Sequence, residues 1–188
     1  MSFLSIRTPA QARRLFLSRS GLVLSGAAVA LLAGRDALAA KSGDKSSDTN
    51  ILNTALAAEL EAIAAYQVGA ESGLLQKPVL DLAVTFQGHH KQHAEVLAKT
   101  IQKLGGKAVA AKSKYTFPVE KLKSQADVLR FAAGLEQGAV SAYLGAVPLF
   151  GNRDLSKAAA SILGDEAMHW AVLRQALGEV PVPSAFVA

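Results

Sequence analysis

A chain of 188 residues with 51% hydrophobic content is long enough for one domain with a sizeable core and too short for two ordinary ones. Cysteine is absent, which excludes disulfides, thiolate nucleophiles, iron–sulfur clusters and CxxC zinc sites, so any metal must bind through nitrogen and oxygen. Most of the formal charge of +5 sits in residues 1–39, where Arg7, Arg13, Arg14, Arg19 and Arg35 face only Asp36; taking these from the 20 bases and 15 acids of the whole chain leaves 15 and 14 in the body, a near-neutral balance without an aromatic-interleaved basic patch, which argues against nucleic acid as a partner.

The first element is an address. Arg13-Arg14-Leu15-Phe16-Leu17 precedes an apolar run over residues 21–34 and then Ala37-Leu38-Ala39, the basic, apolar, small-x-small order of a cleavable secretory signal. The run of about 14 residues is shorter than the roughly 20 that span a bilayer, so no stable span is expected after cleavage. The arginine pair followed by Phe-Leu resembles the twin-arginine export signal, with Ala12 and Ser18 in place of the usual flanking residues. Cleavage is expected after Ala39, giving a signal peptide over 1–39 and an exported or periplasmic product; a Sec signal or an uncleaved anchor are the competing readings. Twin-arginine export carries folded proteins, which suits one loaded with metal in the cytoplasm. Residues 40–50, rich in Ser, Asp and Lys, read as a flexible linker.

Abundant alanine, few aromatics and no alternating stretch favour helices, and four follow in chain order. The first covers about residues 51–72. After Gly73 and Pro78, a second runs over about 79–104 and stops at Gly105-Gly106. Residues 105–124 have no sustained period and form a long crossover, whereas the short connection before them requires antiparallel neighbours. Ser124 is positioned to cap the amide of Asp127 and start the third helix, which continues to about Val147 before Pro148. Asn152 or Asp154 opens the fourth, which reaches about Leu177; residues 179–188 are a tail. The expected fold is all-α, an antiparallel four-helix bundle over 51–178.

The second helix pair repeats the first. Glu59 and Tyr66 recur 77 positions later as Glu136 and Tyr143, and the segment 88–97, Gly-His-His-Lys-Gln-His-Ala-Glu-Val-Leu, aligns without gaps 76 positions later to 164–173, Gly-Asp-Glu-Ala-Met-His-Trp-Ala-Val-Leu. Polar residues then fall on the apolar seams. The first helix carries Leu52, Leu56, Glu59, Ile63, Tyr66 and Ala70 in steps of four and three; the third carries Leu129, Ala133, Glu136, Val140, Tyr143 and Val147. The fourth carries Leu155, Ala159, Ile162, Glu166, His169 and Leu173, and the second carries Phe86, His90, His93 and Leu97. No lysine or arginine lies on these seams, so three core carboxylates demand a cation or protons, since each unpaired buried ion costs several kcal/mol of lost solvation. Metal binding by Glu59, His90, His93, Glu136, Glu166 and His169 is the economical solution. Glu61 and Glu95 lie off the seams and are expected to be exposed. Tyr66 and Tyr143 are expected as core packing, with a hydrogen bond to a ligand as the alternative, and Trp170 as packing.

One Glu from each of the first and third helices, with Glu-x-x-His on the other two, resembles the ferritin-like dinuclear carboxylate superfamily. The resemblance covers about residues 50–178, and the Tyr115-Thr116-Phe117-Pro118 loop is similar to that of its small exported members. It implies that the Glu of each Glu-x-x-His motif bridges two metals. His90 stands where such a carboxylate belongs. Three carboxylates leave two divalent ions with a net +1, and neutral imidazole has one lone pair, so one tight metal or a lopsided pair is expected. His89 with His93, at i, i+4, chelates as well as His90 with His93; only the repeat favours His90. The implied activity is an iron or manganese oxidoreductase acting on dioxygen or peroxide, though Zn or Cu would also bind. A metal-binding or stress-protective protein without turnover, and a bundle that has lost its metal, are the alternatives, and monomer and homo-oligomer both stay open.

Overall fold

The computed structural model describes residues 45–187; the expected signal peptide, residues 40–44 of the expected linker and Ala188 lie outside them. Four helices form the body: α1 (Lys45–Glu71), α2 (Lys77–Lys103), α3 (Gln125–Ala146) and α4 (Arg153–Ala176). Short 3₁₀ turns cover Val119–Lys121 and Val147–Leu149, and no strand occurs among the described residues. None of these helices is long and apolar enough to cross a membrane.

Local chemistry sets the helix ends. Pro78 lies in the first turn of α2, where its missing N–H has no helical partner to lose. At the other end Gly105 turns to φ +83° and the Gly106 N–H reaches back to the Ile101 carbonyl (2.9 Å). Gly106 admits no side chain, because a Cβ there would collide with Thr49 and Ile101. Ser124 Oγ accepts from the Asp127 amide (3.3 Å), as expected, and Asn152 Oδ1 does the same for Asp154 (2.8 Å).

The start of α1 differs from expectation. The helix begins at Lys45, so residues 45–50, read as linker, are helical. The reason is tertiary: Asp48 accepts from the Gly151 and Asn152 amides at the turn before α4 (2.8 and 3.1 Å), and Asp48 and Ser47 are buried. Polar composition suggested a solvated segment, but two backbone donors near the far end of the chain hold it in place.

Pairing follows the loop lengths. α1 packs on α2 and α3 on α4, and across the bundle Tyr66 meets Glu136 while Tyr143 meets Glu59, so α1 and α3 run antiparallel. The crossover leaves α2 beside the start of α1, where Asn53 holds the Lys107 carbonyl and the Val109 amide (3.1 and 2.8 Å). It arrives at the opposite end, where Gln125 accepts from the Gln76 amide (2.8 Å). It therefore runs the length of the molecule and makes α2 and α3 parallel. Apolar clusters fill the two ends of the interior: Leu52, Leu56, Leu97, Ile101, Leu155 and Ile162 in one, Tyr66, Phe86, Leu129, Ala133 and Leu173 in the other. Between them lies a layer of acids and imidazoles.

Candidate metal centre

All four helices contribute to this layer. Glu59 comes from α1, His90 and His93 from α2, Glu136 from α3, and Glu166 and His169 from α4. Glu166, Glu136 and His90 are 0, 1 and 1% exposed, and Glu59 and His169 are buried with them. The seam reasoning thus placed each carboxylate correctly, because a helix with apolar residues at steps of three and four has only one face to bury.

The side chains form two overlapping groups, one of Glu59, His90, His93 and Glu166, the other of His90, Glu136, Glu166 and His169, each with its donor atoms within 4.8 Å of one another. Glu166 addresses both: Oε1 lies 3.1 Å from His93 Nδ1 and Oε2 lies 3.2 Å from His169 Nδ1. His90 stands opposite, with Nδ1 2.8 Å from Glu59 Oε2 and Nε2 3.3 Å from Glu136 Oε1. Of the two alternatives on α2, His90 is therefore the buried central ring. The tyrosines also sit in this layer. Tyr143 O–H donates to Glu59 Oε1 (2.6 Å) and Tyr66 O–H donates to Glu136 Oε1, so each of α1 and α3 orients the other's carboxylate.

Electrostatics follow from the crowding. Burial alone would lower the pKa of His90, but its bonds to Glu136 and Glu59 raise it to about 11. Burial likewise opposes protonation of His93 and His169, yet the adjacent carboxylates, Glu166 and Glu59 for the first and Glu136 and Glu166 for the second, raise each to about 9. Burial would raise Glu136, but hydrogen bonds from His169 and His90 lower it to about 2. Burial, then the Glu136 and Glu59 charges, push the Tyr66 and Tyr143 phenols well above their ordinary value, so both remain proton donors.

Protons alone leave the layer unsatisfied. His93 Nδ1, Glu136 Oε2 and Glu166 Oε1 are buried without a hydrogen-bond partner; His93 Nδ1 and Glu166 Oε1 are close but misaligned for one. These orphaned atoms divide between the two groups, and buried polar atoms without partners are rare in folded proteins. Divalent cations in the two groups would engage all three, so the residues present fit a metal pair.

Two acids depart from expectation. Glu61 is 9% exposed rather than solvated. It lines a crevice of about 50 Å³ between α1 and α3 with Ala55, Ala58, Ala62, Ala139 and Ala142; the crevice reaches Glu59, His90 and Glu136. Small side chains let the helices approach closely enough to cover it. Asp165, which the seams did not single out, has Oδ2 3.3 Å from both His93 Nε2 and His169 Nε2. Its one available signal was its position next to Glu166 and opposite His89 in the repeat. Glu95 is exposed as expected and pairs with Lys99, and Trp170 packs in the second apolar cluster.

A family model described as a ferritin-like domain matches residues 47–179. The chain belongs to the ferritin-like family. Among solved structures this ferritin-like protein is similar to a conserved hypothetical protein from Mycobacterium tuberculosis, with 25% identity, a TM-score of 0.65, and coverage of 76% of this chain and 99% of that one. No curated protein matches this ferritin-like chain in sequence.

Proposed function

We propose that this protein is an exported metal-binding member of the ferritin-like family, holding one or two iron or manganese ions and acting on dioxygen or peroxide. The observation that carries the reading is the pair of ligand groups sharing Glu166 and His90 in a closed interior, with a buried orphaned donor or acceptor in each. Glu59, His93 and one oxygen of Glu166 would hold one ion; Glu136, His169 and the other oxygen would hold the second. Zn or Cu would fit the same atoms. Because three carboxylates do not neutralise two divalent ions, the two sites differ in affinity. Bound iron or manganese would supply Lewis-acid and electron-transfer chemistry at this point.

The chain's own residues set the conditions for it. Tyr143 and Tyr66 hold protons at Glu59 and Glu136 and fix both carboxylates. The apolar clusters above and below exclude water. The alanine-lined crevice, about 50 Å³ in volume, has room for a molecule the size of dioxygen or peroxide but not for a larger organic substrate. The export reading rests on the leader's layout, and mass spectrometry of the exported protein showing an intact amino terminus would overturn it.

Elemental analysis of the mature protein is the first test, with Glu136→Ala and His169→Ala expected to lose metal. The second is Fe(II) oxidation and peroxide consumption by the loaded protein. Retained metal with neither reaction would replace the enzyme by a non-catalytic metal-binding or stress-protective protein. No retained metal would leave a structural bundle.

A further inference from the structure

His93 and His169 each have a second nitrogen, and both second nitrogens point away from the inner groups toward one carboxylate. Asp165 Oδ2 lies 3.3 Å from each of them. It also lies 3.4 Å from His89 Nδ1, which is itself 2.8 Å from His169 Nε2. Three atoms with ligand lone pairs, on His89, Asp165 and His169, thus converge outside the metal layer. A carboxylate that served only to orient the two ring ligands would not need His89 there. The outer group is open where the inner ones are closed: the His89 and Asp165 side chains are 38 and 24% exposed, and a Cβ on neighbouring Gly88 or Gly164 would meet nothing within 4 Å. His89 and Asp165 are counterparts in the internal repeat, as His90 and Glu166 are. The outer pair therefore adjoins the inner pair in sequence, and His169 belongs to both the outer group and an inner one.

We propose that His89, Asp165 and the outward nitrogen of His169 form a third divalent-cation site, a waypoint through which ions reach the two inner groups; this rests on the metal reading above. Two imidazoles and one carboxylate suit a first-row divalent ion. The waypoint is transient for a chemical reason. A neutral imidazole has one lone pair, so while His169 Nε2 holds an outer ion its proton stays on Nδ1, facing Glu166 Oε2 at 3.2 Å. Once Nδ1 takes an ion inside, the proton resides on Nε2 and faces Asp165. The ring serves one site at a time, and the outer ion is absent from the final stoichiometry.

The test mixes metal-free full-length protein with Co(II), follows the ligand-field absorption in time, and measures final cobalt per chain by elemental analysis. His89→Ala is expected to slow loading about tenfold or more, a typical effect of removing a group that supports a metal site, while final cobalt is unchanged. His89→Asp, which supplies a carboxylate oxygen in place of the lost imidazole nitrogen, is expected to recover fast loading, which a merely structural role of His89 would not do. Loading of His89→Ala at or above the wild-type rate, or no recovery in His89→Asp, overturns the waypoint and leaves the inner site standing. Wild-type protein that takes up no cobalt overturns both.

Discussion

Glu136 illustrates how a single residue reports its surroundings. It occupies a seam position that in most helices holds Leu, and its carboxyl is lowered to about 2 because His169 and His90 bond it more strongly than burial penalises it. His90 at about 11 and His93 and His169 at about 9 complete the exchange, so the metal-free layer carries protonated imidazoles at neutral pH. The imidazole pKa values lie above the ordinary 6.5, so their contribution to stability is full below pH 6.5 and is lost as pH rises through about 9. That of Glu136 is present above its ordinary 4.5 and is lost as pH falls through about 2. Metal-free protein is therefore expected to have its highest melting temperature between pH 4.5 and 6.5, and to lose stability from pH 7 to 9 while its affinity for Zn(II) rises over the same span. Calorimetry and competitive zinc titration check the two opposed slopes; parallel slopes would count against the pairing. Tyr143→Phe removes the donor to Glu59 Oε1 and leaves a buried acceptor unpaired. It is expected to destabilise the metal-free protein by about 1–3 kcal/mol, read from urea unfolding.

At the scale of elements, much was legible beforehand. Four helices, their order, the long crossover and the Ser124 cap follow from periodicity and breakers, because apolar spacing of three and four is a strong signal over some twenty residues. What was not legible depends on partners distant in sequence. Asp48 joins α1 to the turn before α4 through the Gly151 and Asn152 amides, which no local pattern around Lys45 announces. Glu61 is covered because α3 brings alanines against it, and Asp165 matters because the second nitrogens of two histidines happen to face it. The candidate ligands were legible for the opposite reason: a charged residue on an apolar seam conflicts with its own helix, and the conflict is visible in one dimension. Ile101, fully buried near the end of α2, anchors one apolar cluster. Ile101→Ala is expected to cost about 2–5 kcal/mol and Ser124→Ala about 0.5–2 kcal/mol, both measured by denaturant unfolding.

For the whole molecule, the decisive arrangement is that the ligands come from both hairpins. Glu59, His90 and His93 belong to α1 and α2, Glu136, Glu166 and His169 to α3 and α4, so an ion held by either group ties the two repeated halves together. A ligand that binds only the folded form stabilises it by about 2.7 kcal/mol at one hundred times its dissociation constant, and a domain of this size gains about 2–4 °C per kcal/mol. Zn(II), which cannot turn over, is expected to raise the melting temperature by roughly 5–10 °C and Glu166→Gln to abolish the gain. An unchanged melting temperature in the wild type would remove the metal from the account.

The wall of methyl groups between α1 and α3 also decides how the protein would give up what it holds. Azide or nitric oxide is small enough to enter through such a gap, whereas EDTA or phenanthroline is not. Stripping by a bulky chelator would then wait on the ion's own return to the outer group of His89, Asp165 and His169, so its rate should saturate with chelator concentration.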